Sequence, residues 1–264
     1  MIDFHNHVLP NVDDGSKSLK MSLNMLKSAA AQGITDVVNT VHYFHPKVND
    51  GKITLDNILE KTASLQNEID KHSIPIKIHC GSEIFFRSNL VELKNDPLAT
   101  FFHGKYMLIE FDLFHIPSIY KQELFNLKME GITPIIAHPE RYRAIHRNLN
   151  IIPNLLEAGC IIQLDAGSLL GHFGSKVKLI ADKIIKNRWC QIIGSDSHND
   201  RRRNFCLNDA IDLISNRIDP KLLVIENPRK VLNGEEILVD VNYEKVKDKQ
   251  GIIYQIKSKM GLKS

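Results

Sequence analysis

A chain of 264 residues is long enough for one large barrel domain or two small ones. Its 34 Lys and Arg against 31 Asp and Glu leave a net charge of +3, too near neutral and too evenly interspersed to argue for nucleic acid. At 43% hydrophobic and 25% charged residues the composition is that of a soluble globular protein, and no apolar stretch approaches the ~20 residues of a membrane helix, so membrane insertion is not expected.

In chain order, short continuous apolar runs alternate with amphipathic stretches, the rhythm of β/α units. A first strand is expected at 1–4, with His5 and His7 just beyond it and Asp13 and Asp14 in the next loop. A helix over 18–32, closed by Gly33, leads to a strand at 36–41 and then His42. A helix over 55–72 precedes a strand at 76–80, after which Glu83 stands; the strand at 106–111 carries Glu110 near its end. Then come a helix over 119–129 closed by Gly131, a strand at 133–137 and His138. A helix over 151–158 closed by Gly159 leads to a strand at 161–164, and one over 176–187 leads to a strand at 191–194, beyond which lie Asp196 and His198. A last helix is expected at 204–217.

Seven such strands, with no Gly-rich nucleotide loop after the first, fit a (β/α) barrel better than a Rossmann domain; an open doubly wound sheet is the alternative. The barrel is expected to fill 1–235 as a single domain. That leaves 236–264, with Lys245, Lys247, Lys249, Lys257, Lys259 and Lys263, as an accessory segment or tail. Cys80, Cys160, Cys190 and Cys206 lack paired spacing, and MIDFHNH is no secretory leader; both predict reduced thiols and a cytoplasmic location.

The polar residues beyond the strands carry the functional signal, because barrel enzymes place their chemistry at the carboxyl ends of strands. Residues i and i+2 of extended chain share a face, so His5 with His7, and Asp196 with His198, can each converge on one point. Imidazole nitrogens and carboxylate oxygens together suit Zn, Fe or Mn, and a bridging carboxylate can hold two ions within reach of one phosphate. A single histidine beyond a strand is ordinarily a cap or a surface residue, and His45, His72, His79, His103, His115, His146 and His172 are read that way. Asp13 is the weaker of its pair, since one of two adjacent turn acids is often only solvated.

HNHVLPNVDDG at the amino terminus, TVH after the second strand, AHPERY around His138 and GSDSHN around His198 carry a resemblance. They are similar to the polymerase-and-histidinol-phosphatase (PHP) family, and within it to the bacterial tyrosine-protein phosphatases of capsule and exopolysaccharide loci, the CpsB/YwqE-like group. The similarity covers about residues 1–235, including GSE at Glu83, LIEFD at Glu110 and AGSLLGHFG from Ala166. It implies a distorted PHP-type (β/α)7 barrel with three divalent metal ions, manganese foremost, with iron, zinc or magnesium as other candidates. It further implies hydrolysis of phosphotyrosine by a metal-bound hydroxide, on a bacterial tyrosine kinase of capsule assembly. The ligands implied are His5, His7, Asp14, His42, Glu83, Glu110, His138, Asp196 and His198. Phosphate contact is implied at Arg141 and, in DRRRN, at Arg203, with Arg201 and Arg202 as competitors and a solvated basic turn as the plain alternative. A guanidinium fork suits that role because it holds two phosphate oxygens at once. Asp112 stands where family members often carry an apolar residue, a departure that bears on substrate choice and leaves the metal ligands untouched.

His79-Cys80 followed by Arg87 imitates the loop of cysteine-based phosphatases, HC-x5-R, but Gly81 to Phe86 insert one residue too many. Cys80 is therefore read as part of the core. Two rivals to a tyrosine phosphatase stand: a small-molecule phosphatase such as a histidinol-phosphatase, and a metal-binding regulatory module without turnover. The oligomeric state is not legible.

Overall fold

The computed structural model describes residues 1–48 and 50–239. The lysines expected in an accessory tail, Lys245 to Lys263, lie outside the described residues.

Parallel strands β1 (Ile2–Asn6), β2 (Asp36–Tyr43), β3 (Lys77–Phe85), β4 (Tyr106–Glu110), β5 (Thr133–Ala137), β6 (Ile161–Asp165) and β7 (Ile192–Gly194) form one seven-stranded sheet in sequence order. The sheet closes on itself just beyond β7. There the Asp196 amide donates to His5 O at 2.7 Å and the His7 amide to Ser197 O at 2.8 Å. The Asp3 carboxylate staples the same seam, accepting from the Ser195 amide at 3.1 Å. The result is a closed (β/α)7 barrel in place of an open sheet.

Helices α1 (Leu19–Ala31), α2 (Leu55–Lys71), α3 (Tyr120–Met129), α4 (Arg143–Arg147), α5 (Ile151–Glu157), α6 (Ala166–Leu170), α7 (Ser175–Lys186), α8 (Leu207–Ile214) and α9 (Asn227–Leu232) accompany the strands. Ser18 and Thr54 cap α1 and α2, accepting from the Met21 and Asn57 amides. Helix α7 buries Val177, Ile180, Ile184 and Ile185 along one stripe. Each such side chain contributes roughly 1.5–3 kcal/mol of burial free energy. Helices α4, α6 and α9 and the π turn Leu222–Glu226 were not anticipated. All are short, and a five- or six-residue helix shows too few turns for a period to register.

Two apolar layers result. One fills the space between strands and helices, and contains Val37, Ile78, Met107, Ile136, Ile162 and Ile193. The other lies inside the barrel: Ile2, Phe4, Val38, Leu108, Ile135, Ile161 and Ile192, closed below by Phe101, Val231 and Ile237. Side chains alternate along a strand, so continuing the inward row past Val38 leads to His42, past Leu108 to Glu110, and past Ile161 to Gln163 and Asp165. The barrel interior is thus apolar at its base and polar at its carboxyl rim.

Two local departures shape that rim. Strand β1 bulges: between the pairs Asp3–Val37 and Asn6–Asn39, Phe4 and His5 stand together against Val38. The extra residue sends Phe4 into the apolar layer and His5, next along, to the same side above it. Strand β3, expected to stop at Cys80, runs on to Phe85, so Glu83 lies within the strand and not after it. Gly81-Ser82 looks like a strand stop, but a Cβ at Gly81 would lie 2.4 Å from the Phe101 ring. That glycine leaves room for an aromatic plug and does not mark a turn.

Candidate metal centre

The nine residues named as ligands are brought together at the carboxyl rim, and all but Asp14 and Glu110 are buried. Glu83 occupies the middle. Its Oε1 lies 2.9 Å from His138 Nε2, and its Oε2 lies 3.2 Å from His5 Nε2 and 3.1 Å from His42 Nδ1. Asp196 Oδ1 is 3.3 Å from His7 Nε2 and 3.6 Å from His5 Nε2. On the outer side Asp14 Oδ1 lies 3.3 Å from His42 Nε2 and 3.2 Å from His198 Nε2. Glu110 Oε2 faces His42 Nδ1 at 3.7 Å.

The donor set is tuned for cations. His5 Nδ1 donates to Gln163 Oε1 at 2.9 Å, His7 Nδ1 to Asp13 Oδ2 at 2.8 Å, and His198 Nδ1 to Asp196 O at 2.9 Å. Each bond fixes the ring and leaves the Nε2 lone pair toward the centre. Glu83 Oε2, Glu110 Oε2 and Asp196 Oδ1 are buried with no hydrogen-bond partner, which is costly unless a positive group meets them. Overlapping sets of ligand atoms lie within 4.8 Å of one another: His7, Asp14, His42 and His198; His5, His7 and Asp196; His5, Glu83 and His138. These residues fit divalent ions, and the two oxygens of Glu83, one facing His138 and the other His5 and His42, fit more than one.

Titration follows the crowding. Burial, reinforced by the charge of Glu83, pushes Glu110 up to about 8. Burial, helped by Arg141, pulls His138 down to about 4, which keeps it neutral as a ligand must be. Burial penalises the Asp196 charge, but the guanidiniums of Arg203 and Arg141 outweigh it and hold the carboxyl well below its usual range.

His138 (φ 32°) and Asp196 (φ 48°) both adopt left-handed backbone, uncommon for residues with side chains and typical of built sites. The turn carrying Asp13 and Asp14 also demands Gly15, where a Cβ would meet His7 O at 2.3 Å. Asp13 departs from the expectation of a solvated acid. Its side chain is buried, holds the His7 ring and accepts from the His42 amide at 3.1 Å. His45 likewise departs from the surface reading: its side chain is 14% exposed, stacks on His42 and lies 3.9 Å from Glu110. Strand β6, which yielded no candidate, delivers Asp165 to the same rim.

The centre opens into a cleft of about 230 Å³ whose walls include Phe85, Phe111, Leu113, Phe114, Arg141 and Arg203. Arg141 donates to Asp196 Oδ2 at 2.6 Å, pairs with Asp165 and lies over the Phe173 ring at 3.8 Å. Arg203 donates to the same Asp196 oxygen at 2.7 Å. Of the three arginines in the run, Arg203 lines the cleft, while Arg201 and Arg202 are exposed and do not.

Cys80 faces the other way. It lies on the outer row of β3 with Ile78 and Ile84, and its thiol donates to Thr62 Oγ1 of α2 at 3.0 Å. Burial pushes its pKa up, opposite to what a nucleophile needs. Cys80→Ser is expected to keep kcat within about twofold at a small packing cost. A folded, metal-loaded variant with no turnover would show the thiol to be essential.

A closed parallel barrel with this rim defines a metal-dependent hydrolase of the barrel class. The chain belongs to the CpsB/CapC family of capsular polysaccharide synthesis, whose family model matches residues 1–233. It is 31% identical over 242 residues to the tyrosine-protein phosphatase YwqE of Bacillus subtilis, covering 90% of this chain and 93% of that one. To the tyrosine-protein phosphatase CpsB of Streptococcus pneumoniae it is 29% identical over 246 residues, covering 90% and 100%. Crystal structures of YwqE and CpsB describe them as unique metal-dependent tyrosine phosphatases. The matching structure superposes with TM-score 0.85 at 30% identity, over 94% of this chain and 100% of its own. A phosphotriesterase homology protein of Escherichia coli, at TM-score 0.53 and 12% identity, shares the fold alone.

Proposed function

We propose that this chain is a metal-dependent protein-tyrosine phosphatase acting on a phosphotyrosine protein of capsule or exopolysaccharide synthesis, a bacterial tyrosine kinase in particular. The observation that carries it is the set of unpartnered buried oxygens on Glu83, Glu110 and Asp196, ringed by imidazoles and overhung by two guanidiniums. The family and its named phosphatases support the same reading. The barrel at 1–235 is the catalytic unit, with 236–264 an accessory segment whose start, at Ile237, packs into the barrel floor. No helix among the described residues is long and apolar enough to cross a membrane.

His5, His7, Asp14, His42, Glu83, Glu110, His138, Asp196 and His198 are the proposed ligands, to three divalent ions with manganese foremost. Such ions supply Lewis-acid charge and a hydroxide equivalent near neutral pH. The chain's own part is positioning. Arg141 and Arg203, both on the cleft wall, would hold the phosphoryl oxygens through guanidinium donors. Phe85 and Phe114 give the cleft aromatic walls suited to a phenyl ring. Tyrosine phenolate leaves readily, so little proton donation is required.

A phosphotyrosine peptide and histidinol phosphate, assayed side by side on manganese-loaded protein, test this reading. The peptide is expected to have at least about tenfold higher kcat/KM, near 1.4 kcal/mol. Preference for histidinol phosphate would transfer the chain to the small-molecule phosphatases; turnover of neither would leave a binding module.

A further inference from the structure

Beside the metal cleft lies a second one, of about 500 Å³, lined by Leu113, Phe114, Arg141, Arg143, His146, Arg147 and Lys176. Leu113, Phe114 and Arg141 belong to both, so the two are continuous across that wall. The second cleft has no acidic lining residue. Arg143 and Arg147 sit four apart, on one face of α4, and Lys176 reaches in from the first turn of α7.

The wall between the clefts is built, not incidental. Asp112 Oδ1 accepts from the amides of Phe114 at 2.8 Å and His115 at 3.1 Å, which folds the β4–α3 loop into a tight turn. The Arg143 amide donates to Leu113 O at 2.9 Å, tying the start of α4 to that loop. The Arg143 guanidinium then lies over the Phe114 ring at 4.2 Å. His146 is held below by donating to Glu140 O at 2.7 Å. Asp112 thus shapes the loop whose neighbours wall both clefts.

We propose that this basic cleft is a docking groove for acidic side chains flanking the phosphotyrosine of a polypeptide substrate. The inference rests on the phosphatase reading above and adds a substrate class to it. Charge complementarity and continuity with the metal cleft favour this occupant: a chain whose phosphotyrosine enters the centre between Phe85 and Phe114 crosses Leu113 and lays its neighbouring residues along Arg143, Arg147 and Lys176. Carboxylates there meet exposed cations without competing acids, and the pairing is screened by salt.

Arg147→Glu/Lys176→Glu is the test, because both residues are exposed and neither lines the metal cleft. Manganese-loaded wild type and variant are assayed on p-nitrophenyl phosphate, on a phosphotyrosine peptide flanked by Glu and Asp, and on the same peptide with Gln and Asn. Wild type is expected to favour the acidic peptide by about tenfold in KM at low salt, with the preference falling in 0.5 M NaCl. The variant should lose or invert that preference while its p-nitrophenyl phosphate kinetics stay within about twofold. Equal KM for the two peptides in wild type, or an undiminished preference in the variant, overturns the groove. The same peptides carrying a non-hydrolysable phosphonate, titrated by fluorescence anisotropy, separate the two readings. Absent turnover with charge-selective binding removes the phosphatase reading and keeps the groove; turnover without charge-selective binding does the reverse.

Discussion

Replacing Glu83 with glutamine is expected to lower kcat/KM by about three orders of magnitude, ~4 kcal/mol of transition-state stabilisation, and to empty much of the metal centre. Glu83 has no solvent exposure and faces imidazoles with both oxygens, Oε1 toward His138 and Oε2 toward His5 and His42. A carboxylate so placed would be able to serve two ions at once. Glutamine keeps the volume and one acceptor, but it replaces a ligand oxygen with an amide NH2 and removes a full negative charge. Divalent affinity depends on both, and the loss should appear in elemental analysis as well as in turnover. Chelation of the wild-type protein should produce the same loss, reversible with manganese, whereas added manganese should rescue Glu83→Gln only at concentrations far above those sufficient for wild type. A thermal melt of both metal-free proteins guards against misfolding. Normal metal content with normal kcat/KM in Glu83→Gln would remove the shared-carboxylate centre from consideration.

The centrality of Glu83 is visible in the sequence only as an acid beyond an apolar run, and the reasons for that opacity are physical. The strands themselves were legible because a parallel barrel wall buries both faces and so writes continuous apolar runs, as at Thr133–Ala137 and Ile161–Asp165. The end of β3 was not, since Gly81 answers to the Phe101 ring from a distant loop. The β1 bulge is equally hidden: nothing local in Asp3-Phe4-His5 says that both Phe4 and His5 stand against Val38. In the site, residue types at strand ends could be named, but their supporting partners could not. Asp13 looks like any turn acid until its bond to His7 is seen, and His45 like any loop histidine until it stacks on His42. Asp165 had a findable signal, an acid at the carboxyl end of the one strand that seemed to deliver nothing. Phe173 had none, because an aromatic under a guanidinium is a tertiary contact with no spacing of its own.

Removal of the Arg141 side chain is expected to lower kcat/KM by about two orders of magnitude, ~2.7 kcal/mol, with metal content unchanged. A guanidinium cannot serve as a metal ligand, so it acts through phosphate or through its neighbours. Its neighbours are two carboxylates, Asp165 and Asp196, and it lies over the Phe173 ring. The arrangement holds the fork at the cleft wall with little freedom to lose when phosphate arrives, as a stabiliser of developing phosphoryl charge requires. Arg141→Ala removes a positive neighbour from Asp196, and that favours cation retention; metal analysis should therefore read at the wild-type level. His138→Ala, by contrast, should lose metal and activity together. Arg141→Lys restores the charge without the planar fork, and should recover less than about tenfold of the loss. A purely structural Arg141 predicts something different. Either way Asp165, fully buried, loses its counter-charge and the melting temperature should fall, but only in the structural case would lysine rescue stability and turnover in parallel. Inorganic phosphate inhibition distinguishes the two without turnover of a peptide. A large rise in the phosphate inhibition constant for Arg141→Ala, at unchanged metal content, places the guanidinium on the phosphoryl oxygens; an unchanged constant would take it off them.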